Sequence, residues 1–242
     1  MRRSALLACV LAAPVFWVRL DGRPDPTPGL PRIMLWAWES SQDLRFVEPG
    51  RAGIAFLSRT VWLDGTRVWH RPRLQPLRFN PGTDLMAVVR FESAGHGLPD
   101  HTEVVKAVLP ALDVEGVRAL QIDFDARQSE REWYGEFLRG LRGALPAKIP
   151  LTITALESWC EAPQWVDGLP VNDAVAMLFR MGPGEHVPGA SFDGKCGSSI
   201  GVSTDEMPVR VPRARRVYIF HPGPWTQEAY DAAAAQSWRW RK

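Results

Sequence analysis

Asp123 and Asp125 stand two residues apart in the run LQIDFDARQSE, where an otherwise apolar segment turns charged. On an extended strand, residues i and i+2 lie on one face about 6.6 Å apart. Two carboxyl groups held that close share one site, and one of them tends to keep its proton beside its ionised neighbour. A proton donor next to an ionised carboxylate is the machinery of glycoside hydrolysis. Alternation puts Ala119, Gln121, Asp123 and Asp125 on one face and the apolar Leu120, Ile122 and Phe124 on the other. The apolar set suits packing against helices, so the acidic set is expected to line a cavity. Two other uses of the pair stay open: a purely structural network with strand-end arginines, and a divalent-cation site of the Asp-x-Asp kind found in enzymes that use nucleotide sugars.

Such a pair needs elements to carry it, and the chain supplies eight apolar runs that each end in polar residues: 33–39, 53–58, 85–92, 117–125, 150–157, 174–181, 199–206 and 215–222. They are near-continuously hydrophobic, as strands covered on both faces are. Helical patterns lie between some of them. Asp100 caps one that runs through Val104, Val105, Val108 and Leu109, Ser129 and Glu132 form a capping-box pattern ahead of Trp133, Phe137, Leu138 and Leu141, and a third covers Thr226 to about Trp238. Elsewhere helices are missing. Asp64-Gly65 marks a hairpin, 182–198 reads as a long loop, and Met181 to Gly184 is a turn without the spacing of a phosphate loop. The expected fold is an α/β (β/α)8 TIM-like barrel, degenerate, with several helices replaced by loops or a β-hairpin. A doubly wound open sheet is the alternative.

In either fold the carboxyl ends of the strands face the functional crevice. Glu39, Glu92 and Glu157 close the first, third and fifth strands. Glu39 is favoured as a further acid because Trp36 and Trp38 precede it, on the opposite face by alternation, and an indole is a platform for a sugar ring or a piece of core. Arg90 and Arg180 are placed to hold the carboxylates ionised or to grip an acidic substituent. His221 ends the last strand as a candidate for proton transfer. Trp159, beside Cys160, is a candidate for the rim. The catalytic candidates are thus Asp123, Asp125, Glu39 and Glu157, with Trp36, Trp38, Arg90, Glu92, Trp159, Arg180 and His221 on the substrate side.

The segments PRIMLWAWESSQDLRF, VRALQIDFDARQSEREWYGEFLRGLR, LTITALESWC and AVAMLFRMGPG resemble an uncharacterised bacterial family of exported proteins whose barrel core is similar to glycosidases, over nearly the whole chain after residue 31. The resemblance implies the barrel and brings no particular reaction with it. The IDFD run also looks like the fourth-strand motif Asp-x-Asp-x-Glu of chitinase-like barrels, with Asp123 and Asp125 at its aspartates. Arg127 stands where that motif has its proton-donating Glu, so an acid from another strand must replace it, or catalysis has been lost and a carbohydrate-binding or structural barrel is left.

Composition sets outer bounds. Lys plus Arg is 29 against 27 Asp plus Glu, scattered in both signs, which leaves no electrostatic footprint for nucleic acid. Arg2 and Arg3 precede an apolar stretch from Ala5 to Val18, the layout of an export signal too short to span a bilayer comfortably. Residues 1–22 are read as signal peptide or anchor, 23–31 as a Pro/Gly linker and 32–242 as one domain. An uncleaved anchor, and a lipoprotein-type Cys9, are the alternatives. The expected location is periplasmic or extracellular, with membrane contact only through an uncleaved N-terminus. Export leaves Cys160 and Cys196 as an even pair that reads as a disulfide, two unrelated thiols being the alternative, and without matched histidines they do not make a zinc site. Export also argues against nucleotide sugars. No cofactor or metal is expected, and no metalloprotease, serine-hydrolase or dinucleotide motif occurs in a supporting context. The expected partner is a saccharide or polysaccharide.

Overall fold

The computed structural model describes residues 24–180 and 191–240. The N-terminal stretch read as an export signal or anchor, 1–22, and the 181–184 turn lie outside the described residues. In chain order the strands are β1 (Ile33–Ala37), β2 (Gln42–Asp43), β3 (Ala52–Asp64), β4 (Arg67–Pro72), β5 (Leu77–Arg78), β6 (Leu85–Ser93), β7 (Val117–Asp123), β8 (Leu151–Leu156), β9 (Asp173–Met177), β10 (Ser199–Ser203) and β11 (Arg216–Phe220). The α-helices are α1 (His101–Val108), α2 (Arg131–Ala144), α3 (Glu157–Glu161), α4 (Gln164–Asp167) and α5 (Gln227–Arg239).

The eight expected strands are the eight staves of a closed parallel barrel, in the order β1, β3, β6, β7, β8, β9, β10, β11. Closure comes from β1, which pairs in parallel with β11 on one side and with β3 on the other. That closure removes the open-sheet alternative. Helices cover the β6–β9 side, where α1 and α2 pack Tyr134, Phe137 and Leu138 against the outward Val89, Phe91, Ile122 and Phe124. Between β3 and β6 the crossover is the predicted hairpin: β4 pairs antiparallel with β3 from Asp64↔Arg67, and Gly65 takes φ +58, which a side chain there would resist. β2 and β5 form a small parallel bridge beside it.

Two helix starts follow the sequence. Asp100 accepts the Thr102 N–H at 2.7 Å, and the Thr226 hydroxyl accepts the Ala229 N–H at 3.1 Å. The α2 start differs. Glu130, not Glu132, turns back to accept the Arg127 N–H at 2.8 Å, and it also takes the Ser93 hydroxyl at 2.6 Å. A 3-10 turn, Gln128–Glu130, precedes the helix, so the cap falls two residues earlier than the Ser129–Glu132 pattern implies.

The lumen is packed, as a small barrel's must be. Met34, Trp36, Ala55, Met86, Val88, Ala119, Val175, Tyr218 and Phe220 form an inner apolar cluster distinct from the outer one. Buried polar residues lie among them, Gln121 and Thr152 at mid-height. The Trp36 indole reaches across to β10, where a Cβ on Gly201 would lie 2.6 Å from it, so only glycine fits. The segment read as a linker is structural from residue 25 on. Arg216, 1% exposed at the base of β11, donates to the carbonyls of Pro31, Leu30 and Thr27, to the Thr27 hydroxyl and to Asp25, which seals the floor with Leu30. Beside it Asp173 is buried at the start of β9, with the Ser199 hydroxyl on one oxygen, and burial pushes it up to about 6.

Candidate functional site

At the carboxyl ends of the strands a cavity of about 180 Å³ opens among Trp36, Trp38, Arg90, Asp123, Asp125, Thr154, Leu156, Met177, Phe179, Arg180 and Phe220. Alternation explains the acidic side. β7 directs Ala119 and Gln121 into the lumen, Leu120 and Ile122 into the outer core, and brings Asp123 to the mouth. The strand stops at Asp123. Phe124 still packs outward, so Asp125 keeps the inward phase two residues beyond and sits on the exposed lip.

The two acids differ by depth. Asp123 is taken out of water, which pushes it up to about 6, while the Thr154 hydroxyl, donating at 2.8 Å to Oδ1, pulls the other way. Its next influences are the charge of Asp125, which raises it, and Arg90, which lowers it; Glu92 adds a smaller upward push. Asp125 is also raised, first by partial burial, with Arg90 opposing and Glu92 adding. Arg90 is register partner to Asp123 on the adjacent strand, and its Nε meets the Glu92 carboxylate at 2.7 Å. The result is a proton-holding acid with a more exposed acid above it and a cation alongside.

Facing these groups is an aromatic wall. Trp36 lies 6.5 Å from Trp38 and 6.2 Å from Phe179, Trp38 lies 6.2 Å from Phe220, and Phe179 stacks on Phe220 with planes 6° apart. Trp36 is fixed by its N–H to the Gln121 side-chain oxygen at 2.8 Å, and Gln121 leans on Thr152. Trp36 is therefore both lumen core and cavity wall. Arg180 closes the site with its guanidinium 5.3 Å over Phe220. Its φ of +55 is the one left-handed non-glycine backbone among the described residues, and its N–H is held by Glu206 at 2.8 Å. Strain of this sort persists where the surroundings enforce it, commonly at sites.

The structure thus gathers Asp123, Asp125, Trp36, Trp38, Arg90 and Arg180, with Glu92 at the edge. Others lie elsewhere. Glu39 turns away to accept the N–H groups of Leu74 and Gln75 at 3.0 and 3.3 Å and faces Arg71, so it braces a loop and does not line the cavity. Glu157 opens α3, 7% exposed and outside the cavity wall. Trp159 is buried in the outer core, edge-on to Trp165 with Arg131 over its ring, and is not at the rim. His221 meets the Thr204 hydroxyl at 2.7 Å and packs on Trp225. Arg127 is not in the wall of the acid cavity; its guanidinium lies against Gly95 and lines the adjoining hollow with Arg90, Asp123 and Asp125. The disulfide Cys160–Cys196 is formed, joining α3 to the 3-10 turn before β10. Among the described residues no group of three or more His, Cys, Asp or Glu of a kind that holds a metal ion is present, and no helix is long and apolar enough to cross a membrane.

Sequence reasoning passed over Thr154, Leu156, Met177, Phe179 and Phe220. The signal for Thr154 was available: Thr152 and Thr154 alternate with Ile153 and Ala155 in a run taken whole as apolar.

Fold and site together define a closed parallel barrel with an acid-and-aromatic pocket at its carboxyl mouth. Residues 82–179 match a domain of unknown function, DUF3142. That span runs from just before β6 to just past β9 and contains Arg90, Glu92, Asp123, Asp125, Thr154 and Phe179. Comparison with curated proteins and with solved structures gives no match.

Proposed function

We propose that the protein is an exported, glycoside-hydrolase-like barrel that cleaves a glycosidic bond in a polysaccharide. The observation that carries this reading is one cavity with an aromatic wall on one side and, on the other, two carboxyl groups of which the deeper, Asp123, is pushed up to about 6. A sugar ring stacks its apolar face on Trp38 or Phe220 and presents its linkage to the acids. Asp123 gives its proton to the bridging oxygen as the bond to the anomeric carbon breaks. Ionised Asp125 stabilises the positive charge growing on that carbon and takes the proton of the water that replaces the leaving group. One water and one linkage become two free ends, and exchange with solvent resets both acids. The disulfide and the export-type N-terminus fit an oxidising compartment.

Asp125→Asn tests this on a panel of envelope and environmental polysaccharides with a reducing-end assay. Turnover is expected to fall by at least about a hundredfold, with the melting temperature nearly unchanged because Asp125 lies on the exposed lip. Wild-type activity is expected to decline above about pH 6, as Asp123 loses its proton. A variant as active as wild type removes the hydrolase reading, and a large stability loss in the variant together with no substrate found across the panel counts heavily against it.

The second reading is a carbohydrate-binding barrel without turnover. It is favoured by Arg127 in the place of a chitinase-type Glu and by Glu39 and Glu157 lying off the cavity. Saccharide affinity with no new reducing ends in wild type selects it.

A further inference from the structure

The lumen-facing side of the barrel does not end at the rim. β3 is 13 residues long and, with β4, continues the sheet as a ribbon beyond the mouth. Residues directly opposite on neighbouring strands share a face. Asp123 pairs with Arg90, Glu92 pairs with Trp62, and Trp62 pairs with Trp69, so one face runs from the acid pair across three strand spacings to the ribbon. That distance is roughly 14 Å.

The hollows along it are contiguous. The acid cavity shares Arg90, Asp123 and Asp125 with a second hollow that includes Glu92 and Ser93, and those two also wall a third, of about 530 Å³, lined by Trp62, Asp64 and Trp69. Trp69 is 59% exposed and makes no ring contact among the described residues. A large indole left in water between charged neighbours does not contribute to this fold's core, whereas it supplies a flat apolar surface in line with the cavity. Trp62 lies beneath Arg71, 5.9 Å from its ring, which leaves Trp69 as the outer aromatic surface.

We infer that this groove binds an extended chain of several sugar residues, Trp69 being the outer stacking site, so that the substrate is a polymer engaged along its length and not a lone terminal sugar. The inference rests on the saccharide reading of the acid pocket and adds a site that the pocket itself does not require. Occupancy by a second copy of this chain is the competing use of the same indole.

The test is a length series, from disaccharide to hexasaccharide, of whichever polymer type binds or is cleaved in a panel of β-glucan, chitin, xylan, mannan and peptidoglycan glycan chains. Affinity of the wild type is expected to rise with length. In Trp69→Ala the longest oligomers lose about tenfold while the disaccharide is unaffected, and Trp69→Phe recovers part of the loss. Circular dichroism checks folding, which an exposed side chain should leave intact. A wild type whose affinity is independent of length, or a Trp69→Ala protein with the full length gain, overturns the inference while the pocket reading stands. A concentration-dependent dimer abolished by Trp69→Ala, without any length effect, assigns the surface to a second copy. No binding of any oligomer by either protein counts against the pocket reading itself and takes the groove with it.

Discussion

Asp123 holds its proton because the lumen removes it from water, and the sign of that effect on stability follows directly. Its folded value of about 6 lies above the ordinary 3.8, so the native state binds this proton more tightly than the unfolded chain does. The native state therefore loses stability as pH rises from the ordinary value through about 6, and above that range the loss is complete, on the order of 2–3 kcal/mol. Asp123→Asn keeps the acceptor that Thr154 uses and removes the ionisation. The variant is expected to melt higher than wild type at pH 7.5, to lose that advantage by about pH 4, and to have no turnover; thermal melts across pH check it. An unaltered or lower melting temperature at pH 7.5 would show that the site does not resist ionisation. Asp173, at the other end of the barrel, retains the same slope in both proteins. The acids were legible in the sequence because an i, i+2 pair at the end of an apolar run has few structural uses. The aromatic wall was only half legible. Trp36 and Trp38 stood beside a glutamate and drew notice, while at Phe179 and Phe220 the notice went to the polar residues that follow them, Arg180 and His221, and the rings themselves carry no local mark of facing inward. Glu39 misled because a carboxylate at a strand end looks the same in sequence whether it meets a substrate or two backbone amides.

The strands of the barrel were readable one by one, since each is a short apolar run stopped by charge, and the hairpin announced itself through Asp64-Gly65. What a run alone does not carry is its end. β7 stops at Asp123 and β9 at Met177, before the runs themselves finish, because the last residues leave the sheet to build the mouth. The capping of α2 was misassigned for a related reason. The Glu130 carboxylate is fixed by Ser93 from β6, a tertiary contact that no local pattern encodes. Packing between elements is equally hidden, and Gly201 is the clearest case. It reads as a weak point in β10, yet it is the gap into which the Trp36 indole fits. Gly201→Ala is expected to destabilise by about 1–3 kcal/mol through overpacking and to displace the indole from Gln121. Denaturant melts together with near-ultraviolet circular dichroism check this; a variant with wild-type midpoint and spectrum would mean the indole has room to move.

At the scale of the whole molecule, the barrel is covered unevenly. α1 and α2 clothe the β6–β8 side, while Cys160–Cys196 ties the α3 segment to the approach to β10 across 36 residues. In the chain-entropy treatment a loop of that length stabilises by roughly 3–4 kcal/mol. Reduction by dithiothreitol is expected to lower the urea midpoint accordingly, and the Cys160→Ala, Cys196→Ala protein should match the reduced wild type. Equal midpoints before and after reduction would deny the link any stabilising part. The base of the barrel sets a different boundary. Arg216 is a cation enclosed in protein and kept satisfied by the stretch from Asp25 to Pro31. Under the proposed export, a leader peptidase would therefore have to cut upstream of Asp25, since each cut further in removes acceptors from the enclosed guanidinium and loosens the floor on which the staves begin.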